Sequence, residues 1–216
     1  MNGVVSTSMR EMGIVYKLNF GVALPEVREI ASSHTPDPEL GAALWKEDVR
    51  ELKILATFLQ PADDLTEEMA WQWVKEIPYL EIAEQCSRNL FWKLSFAGRW
   101  VTELVKADLK EYAFARTVAF LVWTELFKHG VSLSDEVLKV FSKEAMQTVT
   151  ASDEVCPLME RMAAVTAMKL YGRQSREQAQ AVLDWVKGNA DFLASARGQE
   201  IFDDLHFEFE FSGLLD

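Results

Sequence analysis

Four arginines each precede an apolar run that is typical of a helix, and a guanidinium group suits the recognition of phosphate. These are Arg50 before ELKILATFL, Arg88 before NLFWKL, Arg116 before TVAFLVW and Arg161 before MAAVTAMKL. Equivalent arginines on successive helices would form a basic row that follows a phosphate backbone. Alternatively, each arginine lays its stem over apolar surface and pairs with an acid of the adjoining repeat. The candidate acids are Glu47, Asp48, Glu84 and Glu111. The spacing leaves both interpretations open.

The charge of the chain is acidic overall but unevenly distributed. In total, 22 Lys and Arg oppose 34 Asp and Glu, for a formal charge of -12. This excess argues against strong non-specific binding to nucleic acid, because phosphate affinity comes from releasing counterions onto Lys and Arg. Between residues 86 and 129 the sign reverses, with Arg88, Lys93 and Arg116 among the cations. These cations form either a modest basic patch or ordinary solvated helix faces.

Glu84 lies four residues before Arg88, which places the two side chains on one face of a helix. From the residues alone, an ion pair on the helix surface is the favoured interpretation. Neither a metal site nor a cofactor is predicted, since the three histidines lie far apart and no Gly-rich phosphate loop is present. Cys86 and Cys156 lie in apolar-rich stretches and are predicted to be reduced core thiols.

Helices must position these residues, because the hydrophobic periodicity is helical along nearly the whole chain. Prolines and glycines divide the pattern into ten segments. The predicted helices lie near residues 5–18, 24–33, 39–60, 65–76, 79–95, 97–106, 109–129, 133–148, 155–172 and 175–194. Only Phe207 to Phe211 alternates like a strand, and this stretch is too isolated to make a sheet.

Ten helices with short connections and a faint recurring unit predict an all-α fold, a HEAT/armadillo-like α-α superhelix. We expect residues 1–199 to form a single HEAT-like helical-repeat domain. The remaining residues, 200–216, form a tail with six acids, no Lys or Arg, and many apolar groups. Such a tail is expected to dock on the last helix pair. Alternatively, it occupies the basic part of the concave wall and imitates phosphate charge.

No stretch approaches the roughly 18 apolar residues of a membrane span, and the first residues lack a basic segment leading into an apolar one. The expectation from these absences is a soluble cytoplasmic protein without a membrane partner.

Three segments resemble the bacterial DNA alkylation repair family, the HEAT-like alkylpurine DNA glycosylases. They are GVALPEVREIA (21–31), ALWKEDVRELKILATFL (43–59) and the long helix around Arg116. In helix order and spacing the resemblance covers roughly residues 20–190. It implies the release of a cationic alkylated purine from duplex DNA held in a concave cleft, with no cofactor. In such a reaction a carboxylate beside the sugar stabilises the positive charge that develops as the glycosidic bond breaks.

The resemblance also implies roles for particular residues. Glu84 falls at the position of the catalytic carboxylate, and Arg116 matches the family's backbone-binding arginine. The two aromatic residues of the family's cleft are absent, because Leu80 stands at the first position and the second falls near Val165 or Thr166. A replacement face could come from Tyr79, Trp73 or Trp92, each of which packing also explains. Together with Arg116, we expect Arg88, Arg50 and Lys93 to contact DNA.

The sequence therefore favours a protein that binds alkylated or distorted duplex DNA in a concave cleft, as a diverged alkylpurine DNA glycosylase. The alternative is a non-catalytic helical-repeat module that binds a protein or a structured nucleic acid along the same wall.

Overall fold

The computed structural model describes residues 2–215, which contain thirteen α-helices and no β-strand beyond one isolated bridge between Leu18 and Val49. The first residue of the predicted domain, Met1, and the last residue of the predicted tail, Asp216, lie outside the described residues. The helices are α1 (Gly3–Glu11), α2 (Leu24–Ser32), α3 (Pro38–Lys46), α4 (Arg50–Leu59), α5 (Glu67–Lys75), α6 (Leu80–Asn89), α7 (Ala97–Leu104), α8 (Ala115–Lys128), α9 (Asp135–Thr150), α10 (Leu158–Gly172), α11 (Arg176–Lys187), α12 (Ala190–Leu193) and α13 (Ala196–Phe211). Two short 3-10 helices cover Ala62–Asp64 and Phe91–Lys93. The prediction of an all-α fold is confirmed.

Capping side chains set several of the helix starts. The hydroxyls of Thr66, Ser134 and Ser175 accept hydrogen bonds from the backbone of the third residue beyond, and so satisfy an N–H group that the helix leaves unpaired. Prolines occupy the first turns of α2 and α3, where a missing backbone donor costs nothing. These signals are local, which explains why most helices begin near the positions that the sequence predicts.

The helix predicted over residues 39–60 is two helices, α3 and α4. The chain is extended between them, where the backbone N–H of Leu18 donates to the carbonyl of Asp48 at 3.3 Å. The Nζ of Lys53 donates to the carbonyl of Trp45 at 2.7 Å and so satisfies the end of α3. Leu18 and the side chain of Lys53 therefore pair with backbone groups that would be paired within the helix if α3 and α4 were continuous.

The helix predicted over residues 109–129 begins only at Ala115. Before it, the carboxylate of Asp108 accepts a hydrogen bond from the backbone N–H of Lys110 at 2.9 Å. This local turn competes with helix formation, so the first six residues of the predicted helix, 109–114, form turns and irregular backbone instead.

The stretch from Phe207 to Phe211 alternates like a strand but belongs to α13, a helix that the sequence did not predict. Leu205 and Phe209, four residues apart, are fully buried, while Phe207 and Phe211 share an exposed face. The same apolar residues thus satisfy a spacing of four as well as a spacing of two. Packing on the preceding helices selects the helix.

The described residues fall into two compact units, 2–96 and 97–215. In the first unit, α4 packs between α2 and α6, and α3 packs on α4. The ring of Trp45 stacks on that of Trp73 at a centroid distance of 4.1 Å, in the core of this unit. The expectation of a single domain over residues 1–199 stays a prediction.

In the second unit, helices pack in successive pairs. α8, α10 and α13 lie side by side, and α7, α9 and α11 pack against them. Its core contains large aromatic side chains, among them Trp100, Trp123, Phe120 and Phe141. Within residues 2–215, no helix combines the length and the apolar character needed to cross a membrane.

Candidate functional site

Arg50, the first residue of α4, lies in a buried cluster of charges that we call the Arg50 cluster: Arg50, Glu51 and Glu81. Its Nε and Nη2 donate to the two carboxylate oxygens of Glu81 at 2.7 and 2.6 Å. Its Nη1 donates to the carbonyl of Val22 at 2.9 Å and to Glu51 at 3.1 Å. Burial disfavours the charged guanidinium, but the two carboxylates outweigh it and hold the pKa of Arg50 above its ordinary value. With only 3% of the residue exposed, its donors are used inside the protein.

Arg116, near the start of α8, lies in a similar arrangement that we call the Arg116 cluster: Arg116, Glu144 and Glu160. Its Nε donates to Glu160 at 2.9 Å, and its Nη1 donates to the carbonyl of Val105 at 2.8 Å and to Glu144 at 3.4 Å. Its Nη2 donates to the hydroxyl of Thr148 at 2.8 Å. The guanidinium therefore ties α8 to α9, to α10 and to the end of α7.

Glu84 lies in the middle of α6, half-buried, with Arg88 one turn further along. Burial raises the pKa of the Glu84 carboxyl, the charge of Arg88 lowers it, and the charge of Glu81 raises it; the net change is upward. Leu80 lies one turn before Glu84 and is also half-buried. The position that the resemblance assigns to a catalytic carboxylate thus holds a carboxylate with an aliphatic neighbour on its helix.

The three aromatic residues considered as replacements have other contacts. Trp73 is buried in the stack with Trp45. The hydroxyl of Tyr79 accepts from the N–H of Val15 and donates to its carbonyl, both at 2.9 Å. Trp92 donates from Nε1 to the carbonyl of Arg88 at 3.0 Å and keeps part of its ring exposed. Tyr79 and Trp92 are thus both partly exposed, and Trp92 lies just beyond the end of α6, eight residues after Glu84.

Two exposed cations of the first unit, Arg88 and Lys93, lie close along the chain to Trp92. Arg88 ends the face of α6 that carries Glu84, and Lys93 lies on the next turn with its Nζ 5.9 Å from the ring centroid of Trp92. We call Arg88, Trp92 and Lys93 the α6 strip. Such a combination can bind a phosphate and present an aromatic face to a base.

The structure places the predicted site residues in both units. Arg50, Glu84, Arg88 and Lys93 lie in residues 2–96, and Arg116 lies in residues 97–215. For Arg50, Arg116 and Arg161, sequence reasoning proposed other acids as partners and missed the ones that are used. These are Glu51 and Glu81 for Arg50, Glu144 and Glu160 for Arg116, and Asp153 for Arg161. Glu51, Glu81 and Glu160 lie in the first turns of their helices, where acids are favoured, and this was the signal available in the sequence.

Within residues 2–215, no group of His, Cys, Asp and Glu is arranged to hold a metal ion. Cys86 and Cys156 are buried free thiols, and burial raises the pKa of each. Both therefore lie in the core as free thiols, as the sequence predicts.

No protein-family model matches the sequence, and no curated protein matches it. A solved structure is similar in fold, from a new family of proteins related to the HEAT-like repeat DNA glycosylases with affinity for branched DNA structures. The two chains are 11% identical and superpose with a TM-score of 0.71 over 86% of this chain and 77% of that chain. At this identity the similarity shows the fold, and it confirms the predicted fold class. The chain has the HEAT-like helical-repeat fold of proteins related to the HEAT-like repeat DNA glycosylases.

Proposed function

We propose that this protein binds DNA of distorted or branched shape through contacts to the phosphate backbone, without releasing a base. The observation that carries this proposal is the fold shared, over most of both chains, with a protein of a family that has affinity for branched DNA. Fold alone does not define function, so the proposal depends on side chains that can make the contacts.

The α6 strip supplies such side chains. Arg88 and Lys93 are exposed, and the ring of Trp92 is partly exposed between them in sequence. Two cations can contact neighbouring phosphates, and an aromatic face can stack on a base that is unpaired at a junction or a distortion. The strip would therefore bind DNA with accessible, unpaired bases more tightly than it binds a regular duplex.

Residues outside the α6 strip argue against base release as the main activity. Leu80, Val165 and Thr166 offer no aromatic face for a cationic base at the positions where the resemblance requires one. The guanidinium groups of Arg50 and Arg116 are engaged by carboxylates, so we assign them to helix packing. Their predicted contacts with DNA stay predictions, as does the catalytic role of Glu84.

Binding of a labelled four-way DNA junction and of a linear duplex with the same sequence tests the proposal. We expect tighter binding of the junction, and an affinity that falls steeply as salt is raised. Reversing both charges, in Arg88→Glu with Lys93→Glu, should weaken junction binding by about tenfold or more and flatten its salt dependence. The matched control reverses two exposed lysines elsewhere in the same unit, Lys46→Glu with Lys75→Glu. Equal losses in both double variants would show that only net charge matters and would contradict the proposed surface.

Base excision is a second candidate, favoured by the half-buried carboxyl of Glu84 at the position that the resemblance assigns to the catalytic carboxylate. An ionised carboxylate there can stabilise the positive charge that develops on the sugar, and the raised pKa of Glu84 works against that ionisation. Release of N7-methylguanine or N3-methyladenine from alkylated DNA decides between the two. We expect no release above background from the wild type. Release by the wild type that Glu84→Gln abolishes would replace binding alone with glycosylase activity.

A further inference from the structure

A trough runs between α10 and α13 in the second unit. Its volume is about 470 Å³. The α10 side is lined by Leu158, Met162, Val165 and Lys169, and the α13 side by Arg197, Glu200, Ile201 and Asp204. The salt bridges of Lys169 with Asp204 and of Arg173 with Glu208 show that the two helices run in the same direction. The trough therefore follows both helices instead of crossing them.

The trough, and the exposed face of α13 beyond its lining, have apolar side chains that a folded chain seldom leaves in water. Leu158 and Met162 on α10 are 64% and 53% exposed, and Phe207 and Phe211 on α13 are 66% and 81% exposed. On α13, Phe207 and Phe211 follow Asp204 by three and seven residues, so they continue the same helix face. Several exposed large apolar side chains on neighbouring helices mark an interaction site more often than an ordinary solvated surface.

The spacing of these residues matches the face of a helix. Leu158, Met162, Val165 and Lys169 follow each other by four, three and four residues. Two parallel helices with such faces form a groove into which the apolar face of a third helix fits. From Arg197 in the trough lining to Phe211 beyond it, α13 is about 21 Å long, which is the length of a helix of about 15 residues.

The charges around the trough favour one class of occupant. Its cations are already paired: Lys169 with Asp204, Arg173 with Glu208, and Arg161 and Arg197 with Asp153. The acids Glu200, Asp203 and Glu210 stand exposed around Phe207 and Phe211. The two phenyl rings are nearly parallel, with centroids 6.2 Å apart, and their faces attract cations as the carboxylates do. Both features therefore select ammonium and guanidinium groups.

We propose that the α10/α13 trough binds an amphipathic helix of a partner protein, with aliphatic side chains on one face and Lys or Arg along its flanks. Exposed acids would repel the phosphates of DNA, and a second copy of this acidic chain would bring its own acidic α13 against them. The trough belongs to the second unit and the α6 strip to the first, and this proposal does not depend on the proposed DNA contacts.

A labelled 15-residue helical peptide with leucines at positions one, five, eight and twelve and lysines on the flanks serves as the probe. Its partner is the same peptide with glutamate in place of each lysine. By fluorescence anisotropy we expect the lysine peptide to bind at least about tenfold more tightly than the glutamate peptide. Equal binding of the two peptides, or no binding of either, would overturn the proposal.

Two variants separate insertion into the trough from mere attraction of opposite charges. Met162→Glu adds an acid but removes apolar contact, so we expect it to weaken binding of the lysine peptide by about tenfold. Phe207→Ser with Phe211→Ser should do the same. The control is Leu109→Ser, an exposed apolar residue of the same unit that belongs neither to the trough lining nor to α13. Unchanged or tighter binding by Met162→Glu would mean that charge alone attracts the peptide, which would overturn the proposal.

The same variants test whether a second copy of this chain or DNA occupies the trough instead. Sedimentation of the wild type should show a monomer, and a dimer that the Phe207→Ser, Phe211→Ser variant abolishes would identify a second copy as the occupant instead. Junction DNA should bind this variant as it binds the wild type. Loss of DNA binding would assign the trough to DNA and would overturn the proposal, whereas failure of the α6 strip variants would concern the proposed function alone.

Discussion

The two units contain the same kind of arginine cluster, but their terminal helices, α1 and α13, differ in how much apolar surface they bury. In both, an arginine near the start of a helix binds two carboxylates and a backbone carbonyl. The first unit begins with α1, which has no buried residue, whereas the second ends with α13, which buries Leu205 and Phe209. The comparison indicates that a repeated ion cluster stabilises the middle of each unit, while apolar burial decides how firmly its end is attached.

Removal of an arginine from either cluster should have the largest effect. Arg116→Ala would leave Glu144 and Glu160, both about 7% exposed at the side chain, without their cation. We expect a loss of about 3–5 kcal/mol in the free energy of unfolding, measured by urea denaturation. Arg50→Ala should cost less, because Glu81 is 28% exposed and water can solvate it.

The control for both variants is Arg99→Ala, which removes an exposed i,i+4 pair with Glu103. It should change the free energy of unfolding by less than about 0.5 kcal/mol. If Arg50→Ala lowers the free energy of unfolding more than Arg116→Ala does, the burial of the partner carboxylates does not determine the size of the effect.

Gly172→Ala tests how closely α13 is attached to the second unit. The ring of Phe209 lies directly against Gly172, so an added Cβ would overlap it. We expect a loss of about 1–3 kcal/mol in the free energy of unfolding. Phe209→Leu in the same chain should restore part of it by making room.

The matched control is Gly3→Ala on α1, where nothing lies within 4 Å of the added Cβ. This change should leave stability equal or slightly higher. Equal changes in the free energy of unfolding for Gly172→Ala and Gly3→Ala would contradict the conclusion that α13 is packed more closely on its unit than α1 is.

The attachment of the N-terminal segment in the first unit can be measured at two tyrosines. The hydroxyl of Tyr79 binds the backbone of Val15, whereas the buried hydroxyl of Tyr16 has no hydrogen-bond partner among residues 2–215. Tyr79→Phe should lower the free energy of unfolding by about 1 kcal/mol. Tyr16→Phe should leave it unchanged or raise it by up to about 1 kcal/mol, because it removes an unsatisfied group. Thermal denaturation of both variants checks this, and a larger loss for Tyr16→Phe would be the contrary result.

Glu84 provides the smallest effect and contrasts with the clustered carboxylates. Burial raises the pKa of Glu84, so its ionised form costs the folded state free energy at neutral pH. This cost disappears as the pH falls below the ordinary range of a glutamate, near 4. Glu84→Gln should therefore raise stability at pH 7 by less than about 1 kcal/mol, since the side chain is half exposed, and should make no difference near pH 4. Stability measured across this pH range checks the sign, and a destabilised variant at pH 7 would contradict it.

Particular residues show how far the sequence could predict the site. It placed Glu84 and Arg88 on one face of a helix because a spacing of four is a local property. It recognised that an arginine could pair with an acid, but it did not find Glu81 or Glu160, which lie 31 and 44 residues from their arginines. Such partners are set by which helices pack together, and neither composition nor periodicity contains that information.

Two features of this protein follow from its sequence alone. The spacing of its apolar residues determined an all-α chain of short helices, and its capping residues determined where most of these helices begin. Only the tertiary structure decided that residues 47–49 break a continuous helical pattern and that the acidic C-terminal stretch is a helix. The physical reason is the same in both places. Local spacing permitted two conformations, and hydrogen bonds or apolar contacts from distant residues selected one.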